Sequence, residues 1–366
     1  MKPSSSVLAR KPARKKNPLT ARTTAKRAAR PLPPLCDAGD RVVAEKVLQV
    51  LKGARSILIT GHERPDGDCI GSAVGLCSAL RAAGYNARIL NADPVPDRYA
   101  YMNAEKMVSQ AKPGEKFEAD VLFVIDSTDL SRLGKLKREQ FTVKSVIDID
   151  HHLGNPHFGD VNWVLTEASS TGELIWRLVT CCGWKIPQVG LESLYTAIVT
   201  DTGQFAYANT SARVLHIAAK LIEAGVNPET LWRRIYLNKS RSELDLEARA
   251  RSSLECAADG QICCISLKYS DFVETNTSSQ HTEELASIPR SLAGVRLALF
   301  MYGIDEGRHT KVSVRTMPGL DATALAKKFG GGGHRQAAGC TLPLKLAEAK
   351  KKVIAEAEKL LAEHPV

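Results

Sequence analysis

Hydrophobic positions in the first two-thirds of the chain fall into two kinds of pattern. Helical spacing occupies residues 69–84, with Gly84 as the expected C-terminal cap, and continues over residues 169–224. Four short, nearly continuous apolar runs have strand character: residues 56–60, 87–90, 121–125 and 145–149. Buried strands alternating with helices predict an α/β fold, with a mostly parallel sheet covered by helices on both faces.

The pattern changes after residue 236. Residues 237–257 are rich in charged, helix-favouring residues and predict a linker helix. Beyond it, shorter strands, a helix near residues 322–329 and a charged helix from residue 344 predict a second, smaller α/β domain. We therefore predict a disordered basic tail, a first domain, a linker helix and a second domain, over residues 1–36, 37–236, 237–257 and 258–366.

The excess positive charge is confined to the amino terminus. The whole chain has 50 Lys and Arg against 40 Asp and Glu, and ten of the basic residues lie within residues 1–35, where no acidic residue occurs. With six prolines, this segment is expected to be disordered. It could attract longer RNA by weak, salt-sensitive contacts, or it could be a solubilising extension or an organellar transit peptide.

Other features of composition restrict the class of protein. No run of about 18 apolar residues predicts a membrane span, and residues 1–16 lack the apolar core of a secretory signal, so a cytoplasmic location is expected. The nine cysteines form no CxxC pair, and Cys181-Cys182 and Cys263-Cys264 are adjacent. Such cysteines are expected to be small core residues in a reducing compartment, not metal ligands.

Ionisable residues follow the predicted strands at four places. They are the segment His62–Asp68 (HERPDGD), Asp126 in VLFVID, the triplet Asp150-His151-His152, and Asp201 in IVTDTGQF. Taken singly, each carboxylate could be a turn residue or a helix cap. However, ligand sites of open α/β sheets lie outside the carboxyl ends of the strands. Four such groups at one edge therefore predict a common site.

A metal cage would explain this set of residue types. Four carboxylates crowded together would repel one another unless cations were bound between them. Two divalent ions would neutralise them, and mixed oxygen and imidazole ligands suit Mn²⁺ best, with Mg²⁺, Co²⁺ or Zn²⁺ as alternatives. Two ions about 3.5–4 Å apart can support phosphoryl hydrolysis. The expected metal ligands are His62, Asp66, Asp68, Asp126, His151 and Asp201.

The remaining two residues of the triplet are assigned catalytic roles. His152 is expected to face the substrate, and Asp150 is expected to orient a histidine.

A second candidate site lies in the glycine-rich stretch FGGGGHRQAAG, which begins at Phe329. A glycine run is often only a flexible loop. Here it follows a predicted helix and precedes His334, and Arg315 lies on a nearby predicted strand. Successive backbone N–H groups could bind an anion, and Arg315 could add a bidentate contact. The expected substrate-binding residues are Arg315, Gly331, Gly332, Gly333 and His334.

These motifs together resemble the DHH/DHHA1 phosphoesterase family, from residue 38 to the carboxyl terminus. The closest resemblance is to its two-domain bacterial branch, oligoribonucleases that also dephosphorylate 3′-phosphoadenosine-5′-phosphate (pAp). The resemblance implies one Mn²⁺ on His62, Asp66 and Asp126, and a second on Asp68, Asp126, His151 and Asp201. Asp126 would then bridge the two ions. It also implies that the second (DHHA1) domain holds the rest of the nucleotide.

The sequence motifs are compatible with several functions. We expect hydrolysis of RNA of two to five nucleotides to mononucleotides, and of pAp to AMP. Cleavage of cyclic dinucleotides or of their linear product pApA is the main alternative. An inorganic pyrophosphatase, or an RNA-binding protein with a degenerate cage, is a weaker one. A homodimer is possible, and no membrane partner is expected.

Overall fold

The computed structural model describes residues 34–103, 106–112, 114–282 and 284–365. Most of the predicted basic tail therefore lies outside the described residues. Within the described part, no helix is both long and apolar enough to cross a membrane.

The first sheet is built from parallel strands. Its members are β1 (Ile57–Thr60), β2 (Ala87–Asn91), β3 (Val108–Gln110), β4 (Phe117–Ile125), β5 (Phe141–Asp150) and β6 (Val161–Val164). They lie in the order β3-β2-β1-β4-β5-β6, and each neighbouring pair in this sheet is parallel. The predicted α/β class with a parallel sheet is confirmed. The short strands β3 and β6 were not predicted from the sequence.

The α-helices of the first domain share one apolar core with one face of this sheet, whereas the opposite face packs against the segment around Leu133 and Leu136. The helices are α1 (Ala38–Leu51), α2 (Gly67–Ala82), α3 (Thr171–Cys182), α4 (Gln188–Asp201), α5 (Ala212–Glu223) and α6 (Pro228–Tyr236). Helix α2 is buried along almost its whole length, and α4 packs directly against it. A Cβ atom at Gly71 would lie 2.4 Å from the Ser193 carbonyl oxygen, and one at Gly75 would lie 2.5 Å from the Leu194 side chain. Glycine is therefore required for the close approach of these two helices.

A helix connects the two domains. Helix α7 (Arg241–Ser252) lies inside the predicted linker and begins with a capping box between Ser240 and Glu243. The strand β7 (Glu255–Ala257) also falls within the predicted linker, but it pairs with the second sheet. The exact domain boundaries stay a prediction.

The second sheet has mixed strand directions. Its order is β11-β12-β10-β9-β8-β7, and only β8 and β9 pair in parallel. The remaining elements are β8 (Ile262–Leu267), α8 (Tyr269–Glu274), β9 (Leu297–Ile304), β10 (His309–Thr316), α9 (Ala322–Lys327), β11 (Gly332–His334), β12 (Ala337–Leu342) and α10 (Leu346–Ala362). Helices α9 and α10 share one apolar core with this sheet, and α7 shares a second core with it.

Short 3₁₀ turns complete the described elements. They occur at Asp97–Asn103, Leu130–Leu133, Arg138–Gln140, Ser279–Thr282, Leu285–Ser287, Pro289–Ser291 and Asp305–Gly307.

Four cysteines are joined in disulfides, which the sequence reading did not expect. Cys36 is bonded to Cys181 across 145 residues of sequence, and Cys256 is bonded to Cys263 across the β7–β8 hairpin. Of the adjacent cysteines that were expected to be reduced core residues, Cys181 and Cys263 are disulfide-bonded instead, although Cys263 is buried as expected. Disulfide connectivity depends on tertiary proximity, which spacing along the chain does not reveal. Among the free cysteines, Cys69, Cys77, Cys264 and Cys340 are buried, as expected.

Candidate metal centre

Three strands of the first sheet place ionisable residues at its carboxyl edge. His62 follows β1, and Asp66 is the N-cap of α2, where its Oδ1 accepts from the N–H groups of Asp68 and Cys69 at 3.0 Å each. Asp126 follows β4 with a positive φ of 54°, and its own N–H donates to the Ile149 carbonyl at 3.0 Å. This backbone turn directs the chain away from the sheet directly after the strand.

The other predicted ligands arrive from β5 and from a helix. Strand β5 ends at Asp150, so His151 and His152 follow it directly. Asp201 is the last residue of α4, and the prediction that it follows a strand was wrong. The apolar run before it suits either a buried strand or a buried helix, and its length does not separate the two. The end of α4 nevertheless brings Asp201 to the same edge.

All six predicted metal ligands converge around Asp126. The His62 Nε2 atom lies 3.8 Å from Asp66 Oδ1 and 3.5 Å from Asp126 Oδ2. The His151 Nε2 atom lies 3.7 Å from Asp68 Oδ2, 3.6 Å from Asp126 Oδ1 and 3.7 Å from Asp201 Oδ2. Two groups of ligand atoms therefore share one carboxylate, each at a spacing that suits several donors around one ion. This donor set is compatible with divalent metal ions.

Burial and neighbouring charges change the pKa of the carboxylates in this site. Burial, and then the neighbouring carboxylates Asp126 and Asp201, raise the pKa of Asp68 well above its ordinary value. Burial also raises the pKa of Asp201 to about 7, although His151 acts to lower it. Uptake of protons is one way to relieve this repulsion, and binding of divalent cations is another.

Cys69 lies in the same region but has a different character. Its Sγ atom is close enough to His62 and Asp126 to form a possible three-donor group. Burial raises the pKa of the Cys69 thiol far above its ordinary value, however, so a metal ion would have to displace its proton in order to bind it. A protonated thiol is a poor ligand.

The first turn of α3 donates hydrogen bonds to two carboxylates of the site. The N–H groups of Thr171 and Gly172 donate to the two oxygens of Asp68 at 2.7 and 2.9 Å, and Ser72 Oγ donates at 2.9 Å. The Thr171 hydroxyl donates to Asp126 Oδ1 at 3.1 Å. The positive end of a helix therefore faces two buried carboxylates. Sequence reasoning missed the contacts from the Thr171 and Gly172 N–H groups, because backbone amides carry no residue-type signal.

Asp150 holds His152. Its Oδ1 atom lies 2.7 Å from His152 Nδ1 and accepts from the His151 N–H at 2.9 Å. Burial acts to raise the pKa of Asp150, but its hydrogen bond with His152 and the charge of that ring lower it to about 2. The predicted orienting role of Asp150 is consistent with this geometry.

Asn155 extends this network to a second buried aspartate. Its Nδ2 atom donates to Asp150 Oδ2 at 3.0 Å and lies 3.3 Å from Asp148 Oδ1. Asp148 is fully buried, and burial followed by the charge of Asp150 raises its pKa to about 7. The sequence reading missed both residues, although the alternation IDID places Asp148 and Asp150 on one face of β5.

Basic residues of the two domains lie near one another where the domains meet. Burial lowers the pKa of Lys311 on β10, and so do Arg64 and Arg132, which lie across from it on the first domain. Burial likewise lowers the pKa of Arg315, while the nearby Tyr207 raises it.

Direct contacts also join the two domains. The Arg290 guanidinium lies 5.4 Å from the Tyr207 ring centroid, and Arg98 pairs with Glu284 at 3.4 Å. The structure therefore places Arg315 at the face of the second domain that meets the first.

The glycine run is more ordered than predicted. Gly332 and Gly333 belong to β11, which pairs with β12. The N–H groups of Gly330 and Gly331 donate to the carbonyl oxygens of Lys327 and Ala326 at the end of α9. The prediction that these two N–H groups are free to bind an anion was therefore wrong. A Cβ atom at Gly333, whose φ is 140°, would lie 2.6 Å from the Ala337 carbonyl oxygen. The side chain of His334 lies outside the described residues, and substrate binding by this segment stays a prediction.

Comparisons with known proteins agree with this arrangement. The model of the DHH family, N-terminal domain, matches residues 56–200, and that of the DHHA1 domain matches residues 262–363. The bifunctional oligoribonuclease and PAP phosphatase NrnA of Thermus thermophilus is 34% identical over 316 residues, which cover 86% of this chain and 92% of that protein.

Two further comparisons concern a second relative and a solved structure. The cyclic-di-AMP phosphodiesterase PdeA of Listeria monocytogenes is 26% identical over 86% of this chain but only 49% of its own length. The crystal structure of an exopolyphosphatase-related protein from Bacteroides fragilis superimposes with a TM-score of 0.77 at 27% identity, covering 87% of this chain and 95% of that one. The chain therefore belongs to the DHH/DHHA1 family of phosphoesterases.

Proposed function

We propose that the protein is a Mn²⁺-dependent phosphoesterase that degrades short oligoribonucleotides to mononucleotides and converts pAp to AMP. The observation that carries this proposal is the convergence of five carboxylate and imidazole side chains around the Asp126 carboxylate. The similarity to an oligoribonuclease and PAP phosphatase along most of both chains supports this choice of substrates.

The ligands would be divided between two ions. One set would consist of His62, Asp66 and Asp126, and the other of Asp68, Asp126, His151 and Asp201, with Asp126 common to both. When bound, the two ions would supply a hydroxide nucleophile and neutralise the charge of the phosphate. Mn²⁺ is our choice because the donor set mixes hard oxygens with imidazole nitrogens.

The chain itself would position the substrate. Asp150 fixes one ring nitrogen of His152, so the orientation of the ring is set before substrate arrives. His152 would then donate a hydrogen bond to a non-bridging oxygen of the scissile phosphate. The hydrogen bonds from Thr171 and Gly172 would keep Asp68 in place during turnover.

The second domain would hold the far nucleotide. Lys311 and Arg315 lie on β10, on the face whose residues are only half-buried, and basic residues of the first domain lie across from Lys311. Substrate phosphates would be attracted into the space between them. Because both domains contribute, two to five nucleotides should suit this space better than a long strand.

Hydrolysis of pApA or of cyclic dinucleotides is the second candidate function. It is favoured by the similarity to a cyclic-di-AMP phosphodiesterase, which extends over most of this chain. The same ligand set could cleave any phosphodiester that fits this space, so the metal site alone does not separate the two functions.

A comparison of substrates tests both. The purified protein would be incubated with a five-nucleotide RNA, pAp, pApA and cyclic di-AMP in parallel, with Mn²⁺ and with a chelator. We expect Mn²⁺-dependent release of mononucleotide from RNA and of AMP from pAp at the highest rates. Faster cleavage of pApA or cyclic di-AMP would favour the second function. Hydrolysis that persists in chelator would contradict the metal assignment.

Three further expectations stay predictions. They are a cytoplasmic location, a homodimer, and contact between the basic tail and longer RNA.

A further inference from the structure

A disulfide lies just before the first helix of the described residues. Cys36 is bonded to Cys181 in the last turn of α3, and their Cα atoms are 5.7 Å apart. Residues 1–35, which carry the excess positive charge, precede Cys36, and α1 begins two residues after it. The bond therefore attaches Cys36, at the junction between the basic segment and α1, to the last turn of α3.

Ion pairs hold the same junction without a covalent bond. Arg177 is buried in the middle of α3, and its Nε donates to Asp40 Oδ2 at 3.0 Å. Its Nη2 lies 3.4 Å from Asp37 Oδ2, and Arg213 reaches the same oxygen at 3.3 Å. Arg177 also lies 3.6 Å from Glu173. The start of α1 would thus stay in place after loss of the disulfide, but with fewer restraints.

The two ends of α3 face different structures. Its first turn donates hydrogen bonds to Asp68 in the metal centre, and its last turn carries Cys181. A helix of this length spans about 18 Å, so the disulfide lies far from the carboxylate cage. A change at the disulfide would therefore act on the junction without altering a metal ligand directly.

The chemistry of the site suits reversible oxidation. Both Cys36 and Cys181 are half-buried, so a small thiol can reach them. Burial raises the pKa of the adjacent Cys182 thiol to about 11. Cys182 thus stays protonated at neutral pH and is a poor nucleophile for rearrangement with its neighbours.

We infer that Cys36 and Cys181 form a reversible redox modification site, in which the disulfide fixes the junction between the basic segment and the first domain. The proposed oxidant is a low-molecular-weight disulfide such as oxidised glutathione. One cysteine thiolate attacks a glutathione sulfur and releases one reduced glutathione. The second cysteine then attacks the mixed disulfide and releases the other. Two protein thiols lose two electrons in total, and one glutathione disulfide gains them.

The test compares the oxidised and reduced forms of the full chain. After treatment with oxidised glutathione or with dithiothreitol, non-reducing peptide mapping would identify the linked cysteines. Hydrogen exchange would follow residues 38–51, and thermal unfolding would follow the first domain. Because the bond closes a long loop, we expect reduction to lower the Tm by about 5–10 °C. Exchange in residues 38–51 should become about tenfold faster, since local opening would no longer be restrained by the bond.

Matched variants identify which disulfide is responsible. In Cys36→Ser, dithiothreitol should no longer change either measurement. In the double variant Cys256→Ser/Cys263→Ser, the response of residues 38–51 should remain as in the wild type. If Cys36→Ser does not fold, reduction of the wild type and of this double variant still tests the proposal.

Two results would overturn it. The first is that Cys36 and Cys181 remain unlinked after incubation with oxidised glutathione. The second is that reduction leaves both the Tm and the exchange of residues 38–51 unchanged. None of these measurements depends on which phosphoester the protein hydrolyses.

Discussion

The two sheets contribute to the molecule in different ways. In the first, parallel strands end at a common edge, so side chains from residues 62 to 151 meet there although they are distant in sequence. In the second, strand directions are mixed, and Lys311 and Arg315 on one face of β10 lie near charged or polar residues of the first domain. An edge can collect many ligands around one point, which a metal centre needs. A face offers a row of separated side chains, which is suited to binding an extended ligand.

The two regions also differ in the sign of their charge. The edge presents carboxylates that repel one another, while the facing strand presents Lys311 and Arg315. A phosphate would be repelled by the first region without cations and attracted by the second. We therefore expect losses in the first region to abolish chemistry and losses in the second to weaken positioning.

The largest effect should follow loss of the shared carboxylate. Asp126→Ala should lower hydrolysis of the five-nucleotide RNA by at least about 10³-fold, because both metal sites would lose a ligand. Metal analysis should find fewer than two ions per chain. Asp120→Asn is the matched control, since Asp120 lies in the first half of the same strand, where it pairs with Lys144 and accepts from the N–H groups of Arg55 and Ser56. Near-normal turnover in Asp126→Ala with full metal content would contradict the cage.

His152→Ala should separate chemistry from metal binding at the same edge. Turnover should fall by about 10²–10³-fold because a positioned donor to the phosphate is lost, while metal content stays at two ions per chain. His157→Ala, an exposed histidine in the same loop, should behave as the wild type. If His152→Ala instead loses one ion, His152 is a ligand, and the roles of the two adjacent histidines are exchanged.

Arg315→Ala examines the second region. We expect kcat/KM for the five-nucleotide RNA to fall by about 10–100-fold, since binding energy from the far nucleotide positions the scissile phosphate. Hydrolysis of bis-p-nitrophenyl phosphate should change by less than about twofold, because that substrate reaches only the metal edge. Arg308→Ala, on the exposed tip before β10, is the control. An equal loss on both substrates would mean that Arg315 supports the fold and not the substrate.

The smallest effect on small substrates should come from deleting residues 1–35. Activity on pAp should stay within about twofold of the full chain, because neither the edge nor the face is changed. Binding of longer RNA should weaken, and its salt dependence should become shallower. An unchanged salt slope for long RNA would show that the tail makes no contact with it.

Sequence reasoning located the first region better than the second, for a physical reason. Residue type and strand position together predict a candidate metal ligand such as His62 or Asp126. The edge of a parallel sheet is then enough to bring them close. In contrast, Thr171 and Gly172 hold Asp68 through backbone N–H groups, which any residue except proline could supply. Their contribution depends on where α3 begins relative to α2, and only tertiary structure gives that.

The incorrect predictions for Asp201, the glycine run and the cysteines have related causes. The apolar run before Asp201 suits both a strand and a helix, and its place after α3 decides for the helix. The glycine run predicts a loop because glycine is rare inside strands. However, Gly333 has another strand close against it, and a side chain there would prevent the pairing. The partners of Cys36 and Cys256 depend on which segments meet in space.

The glycines that let α4 approach α2 bear on how this protein can change during evolution. Helix α2 carries Asp68 and α4 carries Asp201, so the separation of the two helices sets the distance between two carboxylates of one site. A side chain at Gly71 or Gly75 would push α4 outward and move Asp201 away from His151, whose Nε2 now lies 3.7 Å from it. Selection for phosphoester chemistry would therefore act on positions that have no functional group and touch no ligand. Variation at Gly71 and Gly75 should be limited by the spacing of the carboxylates, even in variants whose free energy of unfolding is restored by other substitutions.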